Sequence, residues 1–355
     1  MTLFLPVVVL TAGVVVANEA VTLENVDALI DELGIEPDGR AGLNLPKEPL
    51  KEEFSVEAAT RFLDVSILYW QKRRNCFTCH TNYPYLMARP MLGASDVAHQ
   101  QVRAFAEQIV TDYWPKNGPN FDAEVVSIAA LLAFNDAMDT GQLHEVTRQA
   151  LDRMWSLQQD DGGFKWIHDN TAPSELDDHY GVTLALIGVG AAPDHYADTP
   201  QAQAGMQKLR GYLDMHPTLY PHQSAMLLWA ASYVEGLVTP EDHRRRIDEL
   251  LSLQNEDGGW SLASLGNWEF RGPGGQEVAK LSDGYGTGLV TYVLRRAGLP
   301  ADDPHIASAV AWLKSHQRAN GGWFTHSQTN PRGHHSISRA GSCYAIMALS
   351  ACDAL

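Results

Sequence analysis

The sequence predicts an all-α chain closed into a single (α/α)6 toroid of alternating outer and inner helices. Three observations predict it. First, one frame recurs three times: Gln158, Gly162, Phe164; Gln254, Gly258, Trp260; and Gln317, Gly321, Trp323. Second, each copy closes an amphipathic stretch with a similar lead-in, LDRMWSLQ, RIDELLSLQ and SAVAWLKSHQ. Internal repetition of this kind decides an architecture before any residue-level chemistry does. Third, from Val56 onward helical stretches follow one another without a convincing run of strand period.

The elements follow in order. Residues Leu3 to Val16 form an apolar run, too short to span a bilayer comfortably. Small residues follow it around Val15-Val16-Ala17 and Ala17-Asn18-Glu19-Ala20, so 1–20 reads as a secretory signal peptide, with an uncleaved anchor as the alternative. No Lys or Arg precedes the run. The expected location is therefore periplasmic or extracellular. Residues 21–54 are polar and read as an arm leading into the domain, which occupies 55–355. Six helix pairs are expected there: Val56–Gln71 with Tyr83–Leu92, Val97–Tyr113 with Asp122–Met138, Leu143–Gln158 with Asp177–Gly190, Gln201–Asp214 with His222–Gly236, Glu241–Gln254 with Asp283–Gly298, and Asp303–Gln317 with Ser336–Cys352. The second member of each pair is the more apolar, as in SIAALLAF and GVTLALIGVG, and reads as buried. The first members, such as RIDELLSLQ, read as half-exposed. Six outer and six inner helices bury one another's faces and close a ring. All inner helices then start at one end, so their N-termini line one mouth of the central cavity, where functional residues are to be sought.

Composition narrows the partners. The 355 residues are 45% hydrophobic and 19% charged, and 26 basic against 43 acidic side chains leave a formal charge of −17. The basic triplets Lys72-Arg73-Arg74 and Arg244-Arg245-Arg246 fall on or just after expected helices and read as solvated faces. Such a chain is a poor candidate for nucleic acid. Four cysteines are too few for a disulfide scaffold in an exported protein.

The repeated Gln-x3-Gly-x-aromatic frame, followed by an apolar TLALxxxG helix, resembles the repeat of squalene–hopene and related terpene cyclases and of protein prenyltransferase β subunits. The resemblance covers about three hundred residues by repeat logic, and it implies the toroid more strongly than any activity. Full triterpene cyclases have two such barrels, and this length accommodates one. Ser174-Glu175-Leu176-Asp177-Asp178-His179-Tyr180-Gly181, which opens the third inner helix, resembles the DxDD acid motif of class II terpene cyclases, with Glu175 in place of the first Asp. The resemblance implies that Asp177 protonates an alkene or epoxide while Glu175 and Asp178 tune it. Such chemistry needs a carboxylic acid kept protonated by neighbouring carboxylates and apolar walls. The plainer alternative is that acidic residues at a helix start cap its amides. An apolar, isoprenoid-class ligand is the partner implied. Leu281-Ser282-Asp283-Gly284-Tyr285 and Gly341-Ser342-Cys343-Tyr344 resemble the zinc-ligand stretches of prenyltransferase β subunits. Tyr285 stands where that family has Cys and Gly341 where it has His, so protein prenylation is not expected. Trp268, Tyr285, His222 and Trp229 are candidates to line the cavity, with core packing the default for each. His335, Arg339 and Cys343 share one helix face near His326, a candidate pocket or metal face.

Cys76-Phe77-Thr78-Cys79-His80 is the sharpest chemical motif. It follows the first outer helix, where other repeats carry their Gly-Gly-aromatic turn. Two thiols at this spacing can add to the vinyl groups of one haem while the adjacent His supplies an axial nitrogen. The segment resembles a cytochrome c attachment site, with Met87, Met91 and His99 as candidates for the sixth ligand. Haem c, zinc or iron held by Cys76, Cys79 and His80, and a disulfide or free thiols are the open readings. Two function classes follow. One is a terpene cyclase-like enzyme acting on an apolar ligand. The other is a haem- or metal-carrying redox or binding module with a redox partner, on a toroid that cyclises nothing. Contact with a membrane surface is a further expected association.

Overall fold

The computed structural model describes residues 19–34, 49–77, 80–93, 96–169, 171–268, 279–328 and 335–355. Among them, twelve principal helices form six pairs. The outer members are α1 (Val56–Arg74), α3 (Val97–Gln108), α5 (Glu145–Ser156), α7 (Pro200–Met215), α9 (Pro240–Leu251) and α11 (Pro304–Ser315). The inner members are α2 (Asn82–Ala88), α4 (Asp122–Asp139), α6 (Asp178–Ala191), α8 (Pro221–Ala231), α10 (Gly284–Arg296) and α12 (His335–Ala351). Each inner helix packs on the next, α2 on α4, α4 on α6, and so on to α12, which returns to α2. The ring is closed, as the repeat logic predicts. Two inner seams are so tight that only glycine fits. A Cβ on Gly288 would stand 2.5 Å from the Ala345 backbone nitrogen, and one on Gly188 would stand 2.3 Å from the Ala130 Cα.

The repeated frame proves to be the clasp between outer helices. The Gln158 Nε2 donates to Gly162 O (3.0 Å) and across to Gly205 O of α7 (2.9 Å). Gln254 does the same to Gly258 O (2.8 Å) and His305 O of α11 (2.9 Å). Gln317 reaches Gly321 O and Ser55 O, both at 2.9 Å, and its Oε1 accepts from Ser55 N–H at 2.8 Å. This last clasp ties the end of the ring to its beginning. The aromatic of each frame is sealed in the core, and the Trp260 and Trp323 indoles donate to Leu250 O and Leu313 O.

Several boundaries differ from the expected ones. Helix α1 runs on to Arg74, where Asn75 in the left-handed region ends it with an N–H to Gln71 O (2.8 Å). The second outer helix does not continue as α-helix to Tyr113. It loosens into a π-turn at Ile109–Tyr113 before a last turn at Trp114–Asn117, because Pro115 has no N–H to offer the ladder. Helix α2 tightens into a 3-10 turn at Arg89–Leu92, with Pro90 inside it. The expected arm is packed against the ring: Val26 and Ile30 are buried, Leu23 N–H donates to Gln101 Oε1 (2.8 Å), and Lys72 pairs with Asp27 (2.6 Å). Its last part bridges Leu50 to Arg318 and covers the α11–α1 seam. Residues 1–18, which hold the expected signal peptide, lie outside the described residues. Among the described residues, no helix is long and apolar enough to cross a membrane.

Candidate functional site

Each outer helix ends at the mouth and each inner helix begins there, so the openings of α6, α8 and α10 converge. The three predicted carboxylates part company at this point. Asp177 turns toward α8: its Oδ2 accepts from Tyr220 Oη (2.6 Å) and from Gln223 Nε2 (2.9 Å). Asp178 turns back to the preceding loop, where its Oδ1 accepts from Trp166 N–H and stands 2.9 Å from His168 Nε2. Glu175 closes a backbone bridge with Thr171. Asp177 is thus the carboxylate held by the barrel wall, while Asp178 knits the approach to its own helix. Because the Gln223 amide nitrogen can only donate, Oδ2 of Asp177 accepts, and a transferable proton on this group would sit on Oδ1.

The wall beside Asp177 is aromatic. Trp166 packs on Tyr180 (5.6 Å between centroids), Tyr180 stacks on His222 (6.1 Å), and His222 meets both Trp268 (6.2 Å) and Tyr285 (6.1 Å). Tyr220 meets Trp268 at 6.2 Å, and Tyr285 meets Tyr344 edge-on at 4.8 Å. The chain of rings therefore runs from α6 through α8 and α10 to α12. His222, Trp268 and Tyr285, candidates from sequence, come together here. Trp229 does not: it is fully buried deeper in the core, between Phe134 and Tyr292. His179 stands in the first turn of α6, buried, with no hydrogen-bond partner at either ring nitrogen among the described residues. Burial pushes both His179 and His222 down to about 4, so both rings are neutral at physiological pH. The His222 Nε2 stands 3.2 Å from Tyr285 Oη. Burial and the bond to Asp177 push the Tyr220 hydroxyl far up, so it stays a donor. Sequence reasoning missed Tyr220, Gln223 and the isolation of His179. Position was the available signal, since all three lie at the opening of an inner helix.

The stretches compared with zinc-binding prenyltransferases do not form such a site. The carboxylate of Asp283 caps α10, taking N–H groups from Gly286 and Leu262, both at 2.8 Å. Burial raises it to about 7 despite those donors. At Gly341 a Cβ would stand 2.3 Å from Thr325 Oγ1, so a histidine does not fit there. Among the described residues, no group of three His, Cys, Asp or Glu side chains is arranged to hold a metal.

Cys76, Phe77 and His80 of the CxxCH motif lie at the same end of the barrel, after α1. Cys76 is exposed, and partial burial with nearby Glu124 raises its thiol above the usual value. Phe77 is buried against Tyr83 and Phe105. Beside Cys76 opens a groove of about 340 Å³ that includes Phe77, Phe105, Ile109 and Tyr113 in its lining. His80 is half-buried with its ring 5.6 Å from Trp70. Thr78 and Cys79 lie outside the described residues. Of the sixth-ligand candidates, Met87 is buried near the end of α2 and Met91 lies in the 3-10 turn after it. The ring of His99 is engaged, with Nε2 2.9 Å from Asn135 Nδ2. His99 opens α3 beside Asp96, whose partner Arg89 grips Asp64, twelve residues below Cys76 on and after α1. The His99 ring meets Tyr85 of α2 edge-on at 6.3 Å. On α12, Arg339 and Cys343 are both fully buried on the predicted common face, while the side chain of His335 lies outside the described residues. His326 is buried against Phe324 (4.4 Å).

Comparison with known proteins bears on this mouth. Residues 281–355 match the family model of the squalene-hopene cyclase C-terminal domain. The stretch carries Tyr285 and Tyr344 of the aromatic wall. The squalene–hopene cyclase of Zymomonas mobilis is 25% identical over 248 residues, covering 59% of this chain and 35% of that protein. The chain thus spans about a third of the length of that curated relative. Among solved structures, an inactive variant of the α-1,6-mannanase of Salegentibacter sp. HEL1_6, in complex with α-1,6-mannotriose, superposes over 92% of this chain and 97% of that one, with a TM-score of 0.51 and 12% identity. At that identity the likeness is one of fold. The ent-copalyl diphosphate synthase from Streptomyces platensis aligns over 75% of this chain and 50% of its own, with a TM-score of 0.47 and 15% identity. The chain is an all-α toroid similar to terpene cyclases.

Proposed function

We propose that the mouth of the toroid binds an apolar, isoprenoid-class small molecule, and that Asp177 is the proton donor for its isomerisation or cyclisation. The observation that carries this reading is one carboxylate set in a continuous aromatic wall. Ring faces attract developing positive charge, and neutral His179 and His222 leave the wall free of competing cations. In the proposed step the Asp177 Oδ1–H proton adds to a ligand alkene, the two π electrons form the new C–H bond, and the adjacent carbon becomes cationic. A neighbouring carbon then returns a proton to the Asp177 carboxylate, which regenerates both an alkene and the acid. Tyr220 and Gln223 orient the carboxyl, and Glu175 and Asp178 are its acidic neighbours in sequence. The test is incubation with squalene in detergent, followed by product analysis and by quenching of tryptophan fluorescence. Turnover by the native protein that falls at least about 100-fold in Asp177→Asn supports the reading. Ligand-free fluorescence and absence of product together refute it.

The exposed sulfur of Cys76 at the edge of a partly aromatic groove favours a second reading. In it, Cys76, Cys79 and His80 carry haem c, or zinc or iron, on an exported scaffold that serves a redox partner. Haem would supply electron transfer, and Phe77 and Phe105 would shield it. An absorption spectrum and intact mass, taken on protein exported by a host with cytochrome c maturation, decide this. A Soret band with the mass gain of one haem supports haem, metal without a band supports zinc or iron, and neither ends the reading.

A further inference from the structure

Arg339 has no counterpart in either reading. It lies in the second turn of α12, wholly buried, and none of its three guanidinium nitrogens has a hydrogen-bond partner among the described residues. Among the described residues no carboxylate pairs with it, although 43 acidic side chains are available in the chain. Two other buried arginines are neutralised: Arg89 by Asp64 and Asp96, and Arg246 by Asp242. The guanidinium faces the Trp70 ring of α1 at 5.3 Å. The Trp70 indole N–H is also buried and without a partner among the described residues. The same indole also carries Arg74 (5.4 Å) and the ring of His80 (5.6 Å). Burial lowers Arg339 to about 10, which still leaves it charged at neutral pH.

An isolated buried charge is among the most costly arrangements in a fold, and a cation–π contact offsets only part of it. Two unsatisfied donor groups side by side, one cationic and one an indole N–H, present the hydrogen-bonding complement of a carboxylate or phosphate oxygen pair. Their position fits a ligand and not a structural brace: α12 lies across the inner ring from α6 and Asp177, at the same mouth, and Trp70 borders the CxxCH segment. We propose that Arg339 and the Trp70 indole N–H form an anion-binding subsite of the toroid, taking a carboxylate or phosphate group. That group belongs either to a diffusing small molecule or to a prosthetic group carried at the CxxCH. The inference does not rest on the acid role of Asp177.

The test is thermal melting of the full chain, made without cytochrome c maturation, in a sodium pyrophosphate series at constant ionic strength. Wild type is expected to gain roughly 5 °C in Tm at about 100 times Kd. Arg339→Met should lose that response yet melt no lower than wild type without the anion, since a buried uncompensated charge has been removed. Trp70→Phe, which keeps the ring and removes the N–H, should weaken the apparent affinity about tenfold. No response in wild type, or an equal response in Arg339→Met, overturns the subsite. Protein matured with haem separates the sources. Loss of the pyrophosphate response there assigns the subsite to the attached group, and its persistence assigns it to a diffusing anion.

Discussion

At Gly321 the backbone sits at φ +97°, and a Cβ would stand 2.0 Å from Ala58 O on α1. Gly298 has a similar φ of +99° but open space around it. Alanine at Gly298 should therefore cost only the backbone term, about 1 kcal/mol, whereas alanine at Gly321 should cost about 3 kcal/mol or more because the clasp itself must part. Urea denaturation of the two variants checks this, and equal losses would contradict it. His179 supports a second prediction at this scale. Its ring and that of His222 sit at about 4 when folded, against about 6.5 in an unfolded chain. Unfolding lets them take up protons in acid, so the stability tied to them is complete above about pH 6.5 and is lost as pH falls toward 4. For each ring the full loss is about 3 kcal/mol. Asp64 and Asp283, raised to about 6 and 7, act in the opposite sense, favouring the fold in acid and losing that contribution as pH rises through those values. The clean observable is thus a difference: His179→Leu should flatten the fall in Tm between pH 6.5 and 4 relative to wild type. An unchanged slope would show that the ring is not held neutral.

Among the elements, the clasps decide which outer helices touch. Gln317 spends its whole amide on the seam, donating to Gly321 and Ser55 and accepting from Ser55 N–H. Gln317→Leu should cost about 1–3 kcal/mol, because it leaves partly buried backbone groups of the N-cap of α1 without partners. Amide hydrogen exchange should rise first at Ser55–Thr60, and protection unchanged there would refute the clasp. The repeat was readable because its glycines and aromatics are backbone and packing requirements that recur wherever the same turn recurs. The π-turn at Ile109–Tyr113 and the extension of α1 to Arg74 were not readable to that precision. Each is settled by one local feature, Pro115 or Asn75, acting within a helix whose apolar period runs on past it.

For the whole molecule, the return of α12 to α2 makes the toroid a closed ring and not an open solenoid. Open repeat arrays unfold piecemeal, since each unit touches only its neighbours. A closed ring has no free end from which to fray. Thermal unfolding should therefore be a single transition, coincident by circular dichroism and tryptophan fluorescence, and deletion of 335–355 should broaden it and separate the two probes. A wild-type melt in several steps would argue for independent arcs.

The sequence by itself determined the all-α class, the alternation of buried and half-exposed helices, and the closing number of six pairs. Those properties follow from periodicity and turn chemistry, which act over a few residues. Only the tertiary structure decided that Asp177 is held by Tyr220 and Gln223 while Asp178 turns away, that Asp283 is spent on capping α10, and that Arg339 is buried against Trp70 without a counterion among the described residues. These are contacts between residues far apart in the chain. Their energies depend on which groups the closed ring brings together and removes from water, and no local pattern encodes that.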